Sequence, residues 1–256
     1  MIDLHAHMLP GLDDGPVDLE KAVAMATMAA ADGITHVVVS PHAFNGVYRN
    51  TRDEILNSVN ALQEALTHAG VMLRILPGME AHVHPHIGER LRMGEVQTIN
   101  HSRYLLLELP DASIPFFAEH LMSRLVISGI TPVLIHPERN VDIQQDPNVL
   151  LRFLEQGVLA VASADSLRGT TRPIYQETVK ILLTHSLVQG VASDAHGLTH
   201  RPPVLSDVRK TVARMCGETH TRMLFDTFPK QIIQNQDPEY PDPIPVQKRK
   251  HWLSWR

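Results

Sequence analysis

Short, nearly unbroken apolar runs alternate with longer segments of helical period along almost the whole chain, and this alternation narrows the fold more than any other feature. The first run covers residues 2–4. A helical stretch capped by Asp18 comes next, runs through Ala31 and is closed by Gly33. Residues 35–40 (THVVVS) form the second run, without polar alternation, as in a strand buried on both faces. Residues 51–69 read as a helix with Leu56, Val59, Leu62 and Leu66 on one face and Gly70 as its stop. Five more runs lie at 71–76, 103–108, 131–136 (TPVLIH), 158–162 and 188–193. The helical segments between and after them lie near 86–98, 115–128, 147–156, 171–185 and 202–215, with a last helix from 218 to about 233. Seven strand–helix units imply a parallel sheet, and this number favours a closed or nearly closed α/β barrel over a doubly wound open sheet.

These units fill residues 1–236, which we read as one domain. The remaining 237–256 have another character: Pro238, Pro241, Pro243 and Pro245 lead into KRKHWLSWR, which holds both tryptophans. Such a segment is extended and has no core of its own. It reads first as a solvated or packed terminus, with contact to a partner or a membrane surface, through cations and interfacial indoles, as the alternative. The start, MIDLHAH, lacks the basic and apolar regions of a signal peptide, and no run approaches the roughly 18 apolar residues of a membrane span. A cytoplasmic protein is expected. The net charge of −5 leaves no footprint for nucleic acid, and Cys216, the only cysteine, excludes a disulfide framework and a thiolate zinc site.

The chemistry sits at the C-terminal ends of the apolar runs. His5 and His7, then Asp13 and Asp14, come after the first; His42 after the second; Glu80 after the third. Glu108 ends the fourth and His136 the fifth, with Pro137, Glu138 and Arg139 behind it, and Asp194 and His196 come after the seventh. In a parallel α/β barrel all strand C-terminal ends share one face, so residues distant in sequence converge there. Alone, an H-x-H pair or a carboxylate at a strand end is more often structural. Their recurrence at nearly every strand end is the signal. Imidazole with carboxylate and no sulfur suits manganese, iron or zinc. So many anions in one place require cations, and two or three divalent ions resolve this most simply.

At these residues the chain resembles the polymerase and histidinol phosphatase (PHP) superfamily, and within it the bacterial manganese-dependent tyrosine-protein phosphatases of capsule and exopolysaccharide synthesis. The matching motifs are MIDLHAHMLPGLDDGP at the start, SPH at 40–42, PGME at 77–80, RYLLLELP at 103–110, PVLIHPERN at 132–140 and VASDAHG at 191–197, and the tail is similar too. The resemblance implies a distorted seven-stranded (β/α)7 barrel with manganese ions. His5, His7, Glu80 and Asp194 would hold the first ion, Asp14, His42 and His196 the second, and Glu80, Glu108 and His136 the third. Asp13 is the substitute for Asp14, and Arg139 would bind the phosphate. His42 and Asp194 would join Arg139 in catalysis. The implied reaction is hydrolysis of phosphotyrosine by a metal-bound hydroxide, on a substrate such as a bacterial tyrosine kinase of polysaccharide export. The chain departs from the family at SLRGTTRP (166–173), where an aromatic is missing, and this bears on the pocket wall.

Rival readings are a phosphatase of histidinol phosphate or another small phosphomonoester, and a non-catalytic metal-binding module. A cysteine-dependent phosphatase loop, C-x5-R, is formally present as CGETHTR at 216–222. It comes after a helical pattern instead of a strand, so Cys216 reads as a small apolar residue near a helix end. His82, His84 and His86 read as pocket-rim or surface residues.

Overall fold

The apolar runs become strands in the computed structural model, which describes residues 1–247. The strands are β1 (Ile2–Ala6), β2 (His36–Val39), β3 (His42–Ala43), β4 (Arg74–Pro77), β5 (Glu80–His82), β6 (Tyr104–Glu108), β7 (Thr131–Ile135), β8 (Leu159–Ser163) and β9 (Gly190–Ala192). β3 and β5 continue β2 and β4 beyond short breaks, so these segments trace the seven expected paths. All pairings between these strands are parallel, in two ladders ordered β1-β2-β4 and β3-β5-β6-β7-β8-β9. The last path returns to the first: His7 N donates to Ala195 O at 2.8 Å, and Asp194 N to His5 O at 2.9 Å. The breaks are the distortion. At Gly78, between β4 and β5, a Cβ would lie 2.6 Å from Val38 Cγ1, so only glycine lets the two paths approach there.

The helices are α1 (Leu19–Ala31), α2 (Arg52–His68), α3 (Ile87–Arg92), α4 (Ala118–Ile127), α5 (Val141–Gln145), α6 (Asn148–Glu155), α7 (Ala164–Arg168), α8 (Pro173–Thr184), α9 (Ser206–Cys216), α10 (Glu218–Arg222) and α11 (Phe228–Ile233). Asp18 caps α1 by accepting from Lys21 N, and Thr51 forms a reciprocal capping box with Glu54 at the start of α2. The buried stripe of α2 is Ile55, Val59, Leu62 and Leu66. Leu56, expected on it, is only half-buried, because it lies about 100° round the helix from Ile55. The final helix expected over 218–233 is broken by a π-helical turn at Met223–Thr227.

Two layers of apolar packing result. Outward-facing strand residues such as Leu105, Leu107 and Leu134 pack against the helices. Leu4, Val38, Tyr104, Leu106, Val133 and Val161 belong to a second cluster inside the barrel, plugged by Phe228, Ile232 and Ile233 of α11. Residues 237–247 lie along the body: Tyr240 packs on the inner cluster, Ile244 N donates to His185 O at 2.8 Å, and Val246 N to Asn148 Oδ1 at 2.8 Å. Residues 248–256, on which the expectation of a basic, indole-bearing contact segment rests, lie outside the described residues. No helix among the described residues is long and apolar enough to cross a membrane.

Candidate metal centre

Glu80 is the hub of the face where the strands end. Its carboxylate is buried, with Oε2 2.7 Å from His5 Nε2 and 2.8 Å from His7 Nε2. Oε1 lies 3.2 Å from His136 Nε2 and 3.6 Å from His42 Nδ1. The His5 and His7 Nε2 atoms are themselves 3.2 Å apart. Several imidazole nitrogens crowd one carboxylate, an arrangement that protons satisfy poorly and a shared cation satisfies well.

Asp194 is the second anchor. It is buried and held in the left-handed region at φ 55°, as His136 is at φ 35°. Non-glycine residues adopt this conformation at a cost that sites of function often carry. Its Oδ1 has no hydrogen-bond partner and lies 3.9 Å from His5 Nε2 and 3.8 Å from His7 Nε2. Its Oδ2 is ion-paired to both Arg139 and Arg201.

Neighbouring acceptors set which nitrogens are free. Asp13 Oδ2 accepts from His7 Nδ1 at 2.6 Å and from His42 N at 3.1 Å, while its Oδ1 accepts from Gly15 N. A Cβ at Gly15 would lie 2.6 Å from His7 O, so the glycine after the two aspartates lets this loop fold over the histidine. His196 Nδ1 donates to Asp194 O at 2.9 Å. With Nδ1 engaged, both histidines turn Nε2 to the centre, the orientation that a backing acceptor gives a metal ligand. Asp13 is engaged through both oxygens and so is a poor substitute for Asp14. The half-exposed Asp14 places Oδ1 3.5 Å from His42 Nε2 and 3.5 Å from His196 Nε2.

Three compact groups result, each with ligand atoms within 4.8 Å of one another: His7, Asp14, His42 and His196; His5, His7 and Glu80; and His42, Glu80 and Glu108. Seven of the nine residues expected from sequence stand in these groups, and His136 and Asp194 lie beside them. The grouping differs from expectation in three respects. His7 and His42 each stand in two groups, and His136 reaches the centre through Glu80 instead of standing with Glu108. Asp194 stands in none of the three groups and faces His5 and His7 from farther off. Glu108 instead meets His82 Nδ1 at 3.1 Å. His84 and His86 are at the rim, with ring centroids 5.4 Å apart. Buried unpartnered atoms, Asp194 Oδ1 and His42 Nδ1, together with the nitrogen–oxygen donor set, fit divalent cations.

The electrostatics agree. Burial lowers the His7 pKa, but Asp13 and Glu80 outweigh it and push it up to about 10. Burial raises Asp13, and His7 overrides that to hold it at about 2. Burial holds His5 below its usual value, and with His7 nearby it takes His196 down to about 2. Against burial, the histidines around Glu80 keep its carboxyl well below the usual range, and Arg139 and Arg201 do the same for Asp194. Beneath the site, burial raises Asp3 to about 6.

Sequence reasoning missed Arg201. It lies on no apolar run and matches no motif. Its carbonyl accepts from His196 N at 2.9 Å, closing a loop that turns its side chain to Asp194, and its buried Nε has no acceptor. Tyr48, also missed, stacks nearly parallel on His42 at 8°, with centroids 5.7 Å apart. Cys216 ends α9 and Arg222 ends α10, so the C-x5-R segment is largely helical and forms no phosphate loop. Burial raises the Cys216 thiol, the reverse of what a nucleophile needs.

Comparison with known proteins gives a consistent picture. A family model described as capsular polysaccharide synthesis, CpsB/CapC, matches residues 1–234. The chain is 30% identical over 250 residues to the tyrosine-protein phosphatase YwqE of Bacillus subtilis, covering 98% of each chain. It is 31% identical over 208 residues to the putative tyrosine-protein phosphatase CapC of Staphylococcus aureus, covering 81% of this chain and 82% of that one. A crystal structure from work on B. subtilis YwqE and Streptococcus pneumoniae CpsB, described as unique metal-dependent tyrosine phosphatases, superposes with a TM-score of 0.92 at 30% identity. It covers 97% of this chain and all of that one.

Proposed function

The chain belongs to the CpsB/CapC family of capsular polysaccharide synthesis, and on that footing we propose that it is a metal-dependent phosphatase of phosphotyrosine in proteins. The observation that carries this reading is Glu80 surrounded by His5, His7, His42 and His136, with Asp194 Oδ1 left unpartnered nearby, in a chain similar along its length to tyrosine-protein phosphatases. His5, His7, Glu80 and Asp194 would hold one ion, Asp14, His42 and His196 a second, and Glu80, Glu108 and His136 a third, with manganese the first choice. Bound there, divalent ions supply positive charge against the phosphate and acidify water.

The protein's own groups do the rest. Arg139 and Arg201 reach the centre from separate loops and meet at Asp194 Oδ2. A guanidinium fork can hold two oxygens of a phosphoryl group while retaining an ion pair, and the unpartnered Arg201 Nε is a donor in waiting. Together they would orient the phosphate and stabilise charge on its equatorial oxygens. A phenol with a pKa near ~10 leaves without a strong general acid, so no residue need be assigned to that task. The substrate we propose is a cytoplasmic segment of a tyrosine kinase of polysaccharide export.

The test is hydrolysis of a phosphotyrosine peptide and of histidinol phosphate by protein stripped with EDTA and reloaded with manganese, iron or zinc. Activity that vanishes with EDTA, returns best with manganese, prefers the phosphopeptide and survives Cys216→Ser is the expected result. Preference for histidinol phosphate would move the substrate class, and activity without bound ions would end the metal reading.

A further inference from the structure

A cleft of about 690 Å³ opens beside the metal centre, between the β3–α2 connection and α3 with the residues just beyond it. Tyr48 belongs to both places: it lines the cleft and stacks on His42. Resting on the phosphotyrosine reading above, we infer that this cleft receives the peptide flanking the phosphotyrosine and selects acidic side chains in it.

Charge is the first reason. Arg49, Arg52 and Arg90 line the cleft against Asp53 and Glu95. Glu95 is engaged by Arg90 at 2.9 Å, and Arg52 Nε donates to Gln97 Oε1 at 3.0 Å. Arg49 is exposed and forms no ion pair among the described residues, which leaves an uncompensated guanidinium at the mouth. Thr51, Arg52 and Asp53 at the start of α2 form part of the wall.

Construction is the second reason. Phe44 lines the cleft in the left-handed region at φ 64°, a costly conformation for a bulky side chain, and the Arg90 guanidinium lies over its ring at 4.7 Å. Phe44 and Tyr48 thus give an aromatic floor, with Arg90 held above it and Arg49 beside it. An extended peptide leaving the metal centre past Tyr48 would lay its backbone on that floor and set a carboxylate between the two arginines. The volume falls in the range of sites that enclose a small molecule or a few residues.

Three substrates separate this idea from its premise: p-nitrophenyl phosphate, a phosphotyrosine peptide with glutamates on both sides, and the same peptide with alanines there. Wild type should favour the glutamate peptide by about tenfold in kcat/KM, mainly through KM, with the preference fading at high salt. Arg49→Ala/Arg90→Ala should erase that preference while leaving turnover of p-nitrophenyl phosphate unchanged. Arg49→Glu, a surface change that breaks no ion pair, should reverse it. Fluorescence anisotropy of the unphosphorylated glutamate peptide should show the same loss of binding without any catalysis. Equal effects on all three substrates, or none on any, would overturn the cleft assignment while the phosphatase reading stands. Wild type inert towards p-nitrophenyl phosphate would overturn the premise and the cleft together.

Discussion

The two ends of the barrel are built from the same strands and have opposite chemistry. At the lower end Ile2, Tyr104 and Ile99 close on Phe228, Ile232 and Ile233, apart from polar atoms such as the Tyr104 hydroxyl, which donates to Gln236 O at 2.6 Å. At the upper end His5, His7, Glu80, His136 and Asp194 are just as buried and almost wholly ionisable. Both ends bury these side chains, but only the lower one is self-sufficient. Bringing carboxylates into a dry interior costs several kcal/mol per ion unless opposite charge accompanies them. Protonated His7 with Arg139 and Arg201 supplies part of that charge, and the unpartnered Asp194 Oδ1 marks where it falls short. The lower end makes the fold, and the upper end spends stability on a place for cations.

Substitutions that cross this divide should separate cleanly. The largest effect is expected from Glu80→Gln, which keeps shape and removes the charge that four imidazoles face. Bound metal, read by elemental analysis, and phosphatase activity should both be lost while the circular dichroism spectrum stays native. Phe228→Ala at the other end should do the reverse. It should cost about 3–5 kcal/mol of unfolding free energy, read by denaturant titration, with kcat for the surviving folded protein unchanged. A large fall in kcat there would mean that the two ends are coupled.

Arg139→Ala and Arg201→Ala sharpen the comparison within the upper end. Each should lower kcat by about a hundredfold, the scale of losing one donor to a transition-state oxyanion, with metal content intact. Loss of metal from either variant would assign that arginine to holding Asp194 in place instead of binding phosphate.

The sequence shows the lower layer and most of the upper one, for different reasons. Strands such as residues 104–108 and 131–135 are buried on both faces, so their apolar runs stand out without any partner being known. His5, His42, Glu80, His136 and Asp194 stand out because each comes just after such a run, and the parallel arrangement carries every run to one face. The features that stay hidden depend on loops and rotamers. β3 is two residues long and β5 three, too short for a period to register. Arg201 reaches Asp194 only because the 196–201 loop folds back, a closure held by one backbone hydrogen bond. His42 stands in two groups because both its ring nitrogens face carboxylates, a matter of side-chain rotation that spacing does not encode. The π-helical turn that seats Phe228 in the barrel leaves the 3.6-residue pattern of 218–233 almost undisturbed.

The smallest effect expected is on stability against pH, and it too belongs to the upper end. In metal-free protein His7 is raised to about 10 by Asp13 and Glu80 against the pull of burial. A raised histidine contributes stability that is complete below its unfolded value near 6.5 and is lost as pH climbs through the folded value. Burial works the other way at His5 and, with His7, takes His196 down to about 2, so their share is present above 6.5 and is lost on acidification. Asp3, raised by burial to about 6, loses its contribution as pH rises to that point, which partly offsets the acid-side loss. With EDTA present, Tm should therefore peak near pH 6.5 and drop by on the order of 5 °C by pH 9. Saturating manganese should remove the alkaline decline, because a cation replaces the proton on His7 and binds more tightly as that proton leaves. Asp13→Asn should flatten the same limb without metal, since His7 then lacks its anion. A level Tm from pH 6.5 to 9 in EDTA-treated wild type would show that neither His7 nor His136, raised likewise by Glu80 and Asp194, carries such a proton.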